Sequence, residues 1–462
     1  MPRTFSLHTW TLVAAITAAA GVGAAQRNSS LPDAPSSARV LTAQVTTQPA
    51  PGTNPQTPQA APSPPGPVIT LEQALELARK NNATLRATRT LVLQNQAQEI
   101  TANLRPNPVL SWDTQFLPLF EPSLWSDPNY WETQAQYDVG VGYLFERGRK
   151  RQHRLDAAKT ATAVTESEVS DAERATLAAV AQAFVAALLA RSNLDFAEQL
   201  LDSYKKTVSV SEEKFKAGAI SKNDALKIQL QQLQFENDVT AARIARAQAL
   251  LSLRQLLGFE SVPVEYQVSG ELAYEPVKLS VADLEVRALS QRPDLQAAQR
   301  NVTASESQVG LAKANAKQDV TFTFSYNHLN AANNGSFFFS IPLPIFNRNQ
   351  GEVARTYYAL TQTQFLERAA EQGVLTDVRN AYEALVNSAE VVQLYEEGYL
   401  KQAQESLDIT QFSYQHGAAS LLDFLDAERS YRATELSYRQ ALATYMSSLE
   451  QLRQAVGTRD LQ

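Results

Sequence analysis

"FFFSIPLPIFNRNQGEVAR" (337–355) sets three consecutive phenylalanines and two alternate prolines ahead of an abrupt run of polar residues. Pro342 and Pro344 have no amide hydrogen to give a neighbouring strand, so sheet pairing is expected to end there. Asn347 is suited to cap a helix, with Gly351 allowing a close approach. A strongly apolar strand that stops dead and becomes a long polar helix is what the rest of the chain has to explain.

On the strand side, Val320, Phe322, Phe324 and Tyr326 alternate with Thr321, Thr323, Ser325 and Asn327. Leu110, Trp112 and Phe116 likewise share a face opposite Ser111, Asp113 and Gln115, and Tyr137, Val139, Val141 and Tyr143 alternate with Asp138, Gly140 and Gly142. A period of two gives one apolar and one polar face. Four strands are therefore expected, about 109–117, 136–144, 319–327 and 336–344. A half-buried sheet in a soluble protein would show the same alternation; the aromatic loading reads instead as the lipid face of a transmembrane barrel. Four strands cannot close such a barrel, and an open edge in lipid leaves backbone groups unpaired, so the chain is expected to oligomerise.

On the helix side, 148–216 and 349–414 are free of proline and rich in Ala, Gln, Glu, Leu and Arg. Leu194, Leu201, Val208 and Phe215 recur at heptad steps, as do Leu400, Leu407 and Tyr414, which predicts coiled-coil packing. A helix of some 65 residues is about 100 Å long. Each long helix turns back through a glycine, at "KAGAISKND" (216–224) and "QHGAASLLD" (415–423). Gly218 and Gly417 fit the positions just past a helix end, and Ser221 and Ser420 fit N-caps with Asp224 and Asp423 three residues on.

These paired features belong to an internal repeat. "LEQALELARKNNATLRA" (71–87) parallels "VADLEVRALSQRPDLQA" (281–297), and "LRQLLG" (253–258) parallels "LRQAVG" (452–457), with strands, long helix and turn between them in the same order. The first repeat spans 68–258, a connector 259–280, and the second repeat 281–457; each is expected to hold one helix, two strands, one long helix and a return helix. Ahead of them, "WTLVAAITAAA" (10–20) and "GVGAA" (21–25) read as a signal peptide over 1–25. The stretch 26–67 holds ten of the 21 prolines and too few large apolar residues to fold, so it is expected to be an extended linker.

Composition narrows the function. A net charge of −7 and no basic run longer than "ERGRKRQHR" (146–154) argue against a nucleic-acid partner. In that run Arg147, Arg149, Lys150, Arg151 and Arg154 read as a solvated face in preference to a set placed near anionic head groups. Cysteine is absent, which leaves no disulfide, thiol nucleophile, cysteine metal ligand or cysteine-borne lipid anchor. The four histidines have no metal-ligand spacing, and no phosphate loop, nucleophile elbow or paired-acid motif appears, so neither enzyme nor cofactor is expected.

The combination resembles the TolC family of outer-membrane efflux ducts, most specifically in "IPLPIFNRNQGEVAR" (341–355) and its first-repeat counterpart "YLFERGRKR" (143–151). The resemblance implies a mainly α chain with a small membrane β-barrel. In such a homotrimer four strands per chain make one twelve-stranded barrel, continued by long helical hairpins as an α-barrel through the periplasm. It makes Phe145, Arg147, Pro342, Pro344, Phe346, Asn347, Arg348 and Gly351 the junction between barrel and helices, where Arg147 and Arg348 would pair with carboxylates or cap carbonyls. It makes the tips, with Gly218, Ser221, Gly417 and Ser420, the docking place of a periplasmic adaptor protein that joins the duct to an inner-membrane pump. Asp224, Asp423 or Asp426, tripled by symmetry, would form an acidic ring at the mouth. The competing readings are a periplasmic coiled-coil adaptor and a structural coiled-coil protein of the envelope. Cargo stays open among drugs, metal cations and polypeptides, although "PLPIFNRNQG" resembles the cation-efflux branch.

Overall fold

The computed structural model describes residues 66–461, so the expected signal peptide and all but the last two residues of the Pro-rich segment lie outside the described residues. In chain order the elements are β1 (Val68–Ile69), α1 (Leu71–Asn81), α2 (Ala83–Ala102), β2 (Val109–Gln115), α3 (Pro128–Thr133), β3 (Gln136–Phe145), α4 (Lys150–Lys216) and α5 (Lys222–Leu257). There follow β4 (Gln267–Val268), α6 (Val281–Gln291), α7 (Pro293–Asn315), β5 (Val320–Leu329), β6 (Ala332–Ser340), α8 (Gln350–Leu394), α9 (Leu400–Gln415) and α10 (Leu421–Val456).

Each repeat opens with two helices where one was expected. The first break falls at Asn82, whose ψ of 119° is extended, and its side chain accepts the Leu85 amide at 2.9 Å while donating to the Leu256 carbonyl at 2.8 Å. The second falls at Arg292, directly ahead of Pro293, because the proline ring disfavours a helical residue before it. α1 is started by a full capping box in which Thr70 and Gln73 bond each other's backbone amides.

The second long helix also departs from the expected unbroken run. α4 is continuous over 67 residues, whereas α8 gives way to a π-helical turn at Tyr395–Tyr399 before α9 begins. Gly398 leaves helical geometry there, at a residue that holds a helix weakly. Glu396 in the same turn accepts a 3.0 Å hydrogen bond from the Tyr438 hydroxyl of α10.

The core is a chain of helix contacts in three apolar clusters. Ala74, Leu75, Val180, Phe184, Leu253 and Leu257 join α1, α4 and α5; Leu284, Val374, Val378, Leu442, Tyr445 and Leu452 join α6, α8 and α10; and Tyr204, Ile228, Phe235, Leu421 and Phe424 join α4, α5 and α10 towards the helix ends. Of the heptad positions, Val208 lies in the third cluster and Leu194 is buried outside all three, while Phe215 is exposed. The connector does more than join the repeats: β4 lies parallel to β1 with Val68 opposite Gln267, and the Tyr266 hydroxyl donates to the Leu250 carbonyl at 2.6 Å.

The four longer strands form one antiparallel sheet in the order β2-β3-β5-β6. β5 and β6 are joined by a two-residue turn in which Asn330 and Ala331 both have positive φ, 54° and 59°, the geometry that matches strand twist. This tight turn places β6 at 332–340, earlier than the expected 336–344, so Ile341 to Ile345 lie beyond the sheet and pairing ends at Ser340, two residues before Pro342.

Candidate functional surfaces: sheet, junction and hairpin tips

Register sorts the sheet into two faces. Leu110 opposite Val141, Trp112 opposite Val139, Phe324 opposite Phe337 and Phe322 opposite Phe339 share one face. Among the described residues no helix covers it: Trp112 is 77% exposed and Phe337 70%. The Phe337 ring touches Phe324 at 5.0 Å and Phe322 at 5.8 Å, so the face is a continuous aromatic surface. Burying each such side chain is favourable by about 1.5–3 kcal/mol, and a patch this large marks contact with lipid or protein.

The opposite face is polar. Asp113 stands opposite Asp138 and Asp138 opposite Asn327, with Ser111, Gly140 and Ser325 in the next row. Asp138 accepts from Asn327 at 2.5 Å and from Gln136 at 2.6 Å, and Ser336 donates to Asn327 at 2.7 Å. Gly140 lets this row pack closely, because a Cβ there would lie 2.7 Å from the Ser325 hydroxyl and 2.9 Å from that of Ser111, and both side chains would have to turn. Phe338 breaks the alternation by presenting an aromatic ring on the polar side, opposite Thr323.

At the junction, the chain enters each long helix through a left-handed residue, Arg149 at φ 57° and Asn349 at φ 60°. Asn349, not Asn347, is the N-cap residue of α8; Asn347 instead accepts the Asn349 amide at 2.9 Å, which stabilises the left-handed turn. Gly351 makes no close approach, since a Cβ there would meet nothing within 4 Å. Arg348 donates from Nε to the Pro344 carbonyl at 3.1 Å. Arg147 meets a carboxylate through its backbone: its amide donates to Asp319 Oδ1 at 2.9 Å, while Lys150 reaches Oδ2 at 2.7 Å. The basic run is thus not wholly solvated, because Lys150 is buried on Asp319 and Arg154 is paired with Glu146. Phe145 and Phe346 are exposed beside the strand ends.

At the tips, Gly218 and Gly417 adopt φ 72° and 78°, and the backbone closes each helix with a bond from Ala219 to the Lys214 carbonyl or from Ala418 to that of Ser413, both 2.8 Å. Ser221 accepts the Asp224 amide at 3.1 Å and donates to its carboxylate at 2.7 Å. Ser420 and Asp423 make the same pair of bonds, and Asp423 also accepts the Ser420 amide at 3.1 Å. The Ser420 hydroxyl and amide hold the Asp423 carboxyl below its ordinary pKa. Both carboxylates are thus turned onto their own caps, whereas Asp426 is exposed and 3.8 Å from Arg429.

His416 Nδ1 lies 2.9 Å from the Phe412 carbonyl, and both ring nitrogens of His328 have oxygen partners, Asn333 Oδ1 at 2.8 Å and the Glu132 carbonyl at 3.0 Å. Among the described residues no group of three or more His, Asp or Glu could hold a metal ion. Sequence reasoning passed over the 116–135 loop, which orders itself through Trp125 to the Pro118 carbonyl, Trp131 to the Trp125 carbonyl and Tyr130 to that of Phe116. It also passed over Glu428, buried on α10, although its place in the apolar heptad after Leu421 and Phe424 was readable.

The profile of the outer membrane efflux protein family matches residues 74–259 and 284–458. The cobalt-zinc-cadmium resistance protein CzcC of Cupriavidus metallidurans is 25% identical over 397 residues, covering 85% of this chain and 89% of that protein. The cation efflux system protein CusC of Escherichia coli K12 is 26% identical over 275 residues, covering 55% of this chain and 58% of that protein. In fold, the chain is similar to the outer membrane channel MtrE of Neisseria gonorrhoeae, with a TM-score of 0.68, 20% identity, and coverage of 85% and 90%.

Proposed function

We propose, from the premise that this chain belongs to the outer membrane efflux protein family, that it is the passive exit duct of a tripartite efflux system. The observation that carries the reading is an uncovered aromatic sheet face joined, through the short stretches 146–149 and 341–349, to a pair of long helical hairpins. A sheet that leaves Trp112 and Phe337 bare suits hydrocarbon on one side, and the Asp138–Asn327–Ser336 network on the other suits water.

Three copies would supply twelve strands, which removes the sheet edges that lipid cannot tolerate. The helices would then continue the water-filled lumen through the periplasm. The tips at Gly218, Ser221, Gly417 and Ser420 are exposed and rigidly capped, which suits docking of a periplasmic adaptor that brings an inner-membrane pump. Since Asp224 and Asp423 serve their own helix caps, Asp426 is the residue best placed for an acidic ring at the mouth. Ion permeation unchanged by alanine at both Asp423 and Asp426 would remove that ring. The names of the relatives favour metal cations as cargo, with the pump making the selection.

The deciding experiment is electron microscopy of the full chain extracted from envelopes in detergent. A threefold hollow cylinder with a helical section about 100 Å long is expected. An elongated monomer recovered without detergent would favour the periplasmic adaptor instead.

A further inference from the structure

The apolar cluster nearest the tips gathers Tyr204 and Val208 of α4, Ile228 and Phe235 of α5, and Leu421 and Phe424 of α10. Along α10 the next residue on that face is Glu428, four after Phe424 and seven after Leu421. A carboxyl group therefore sits where helical periodicity calls for an apolar side chain. It is 6% exposed, and its Oε1 has no hydrogen-bond partner among the described residues.

The charged and titratable groups around it are few. On its own helix stand Arg429 and Arg432, on α5 Asp238, on α4 Tyr204, and beyond Tyr204 lies Tyr414 of α9, itself facing Asp224 and Lys214. Arg432 is bonded to Asp238 and lies over the Phe235 ring at 5.5 Å, while Arg429 is exposed beside Asp426. The Tyr204 hydroxyl is buried and unpartnered as well. The first repeat has no such group: the matching residue of α5 is Gln229, neutral and exposed.

We propose that Glu428 is a proton-operated latch on the tip end of the helical bundle. Protonated, it stays in the cluster and lets α10 pack on α4 and α5; ionised, it must find water, and α10 separates from them. The latch sits about 12 Å along α10 from the Ser420 cap at 1.5 Å per residue, close enough to loosen the tips. Its consequence for conduction rests on the exit-duct reading; the latch itself does not.

The physical cause is desolvation. An ionised carboxylate in apolar surroundings costs far more than a neutral one. Burial pushes the Glu428 pKa from its ordinary 4.5 up to about 7, with Arg432 and Arg429 opposing the rise and Asp238 adding to it. Below the ordinary value the carboxyl is neutral whether packed or released, and exerts no bias. From there up to about 7 the released state gives up its proton and the packed state keeps it, so rising pH favours release, by roughly 300-fold in all. Above that range both states are ionised and the bias levels off.

The test is amide hydrogen exchange on the full chain in detergent, for wild type and Glu428→Gln, with rates corrected for the pH dependence of exchange chemistry. Protection across 200–211, 226–240 and 421–435 is expected to fall by about 70-fold in wild type between about pH 5 and pH 8. It should stay high and flat in Glu428→Gln. A flat wild type, or the same slope in the variant, would overturn the latch. Should the variant fail to fold, infrared titration of wild type decides: a protonated carboxyl band persisting to about pH 6 supports the latch, and its loss by about pH 5 overturns it. Single-channel recordings on the same preparation separate the two readings. A slope without current at any pH keeps the latch and sinks the duct, while current without a slope does the reverse.

Discussion

Asn82 and Arg292 stand at matching places in the two repeats and do one job by different chemistry. Each ends a short helix and reaches a carbonyl at the far end of its own return helix: Asn82 donates to Leu256 of α5, and Arg292 to Ala455 of α10 at 3.3 Å. Asn82 needs only its amide. Arg292 is buried and brings Asp294, bonded at 2.5 and 3.0 Å, and Asp377 at 2.9 Å. What the two have in common is the geometric demand, a polar tie across the shoulder of the hairpin. What differs is the dependence on charge, which is confined to the second.

The largest test of that difference is alanine at each position. Arg292→Ala should cost about 2–3 kcal/mol in denaturant unfolding of the purified protein, because it removes a buried guanidinium with its bond to the Ala455 carbonyl and leaves the half-buried Asp294 only the more distant Arg174. Asn82→Ala should cost about 1–2 kcal/mol for its buried amide bonds. Equal losses would break the contrast.

The glycines that follow the two return helices come next. Gly258 adopts φ 93°, and a Cβ there would stand 2.8 Å from the Asn81 carbonyl oxygen; Gly457 adopts φ 86° with its nearest contact, Arg292 Cγ, at 3.3 Å. Gly258→Ala should therefore lower unfolding stability by about 2 kcal/mol and Gly457→Ala by about 1 kcal/mol, the arginine stem being able to give way.

Acid should then separate the shoulders. Burial raises the Asp294 pKa, but Arg292 outweighs it and holds the carboxyl below its ordinary 3.8. A depressed carboxylate stabilises the fold above its ordinary value and loses that contribution as pH falls through the lowered one. Amide exchange below about pH 4 should accordingly open most around Arg292; the Asn82 amide does not titrate, and the first shoulder weakens only through Glu173, whose carboxyl burial raises but Arg89 and Arg79 hold below its ordinary pKa. The smallest effect is expected at the tips. Ser420→Ala and Ser221→Ala should each lower thermal stability by about 1 kcal/mol, the former slightly more because Ser420 also orients the carboxylate that binds its own amide.

The sequence made the strand faces legible because a period of two survives any packing: the rows Leu110–Val141 and Phe324–Phe337 follow from alternation alone. It made the turns legible because glycine followed by serine has few other uses. The shoulder was half legible. Pro293 announces a break after Arg292, but "KNNATL" (80–85) carries no proline, and Asn82 ends its helix through a contact with Leu256 that is remote in sequence. Asn347 misled because the turn ahead of α8 is left-handed, which shifts the cap to Asn349 and leaves Asn347 supporting it. Glu428 was overlooked because composition reads a glutamate as solvent-facing; only the heptad, followed without regard to residue type, would have placed it inside.

The four-stranded sheet leaves β2 and β6 each with one unpaired edge. On the exit-duct reading this fixes an order of events in biogenesis. A single chain arriving at the membrane would carry bare amides and carbonyls along both edges, beside an aromatic face that water rejects. Neither compartment can receive it alone, so the copies must meet before or during insertion, and each newly made chain must be escorted until its neighbours are at hand.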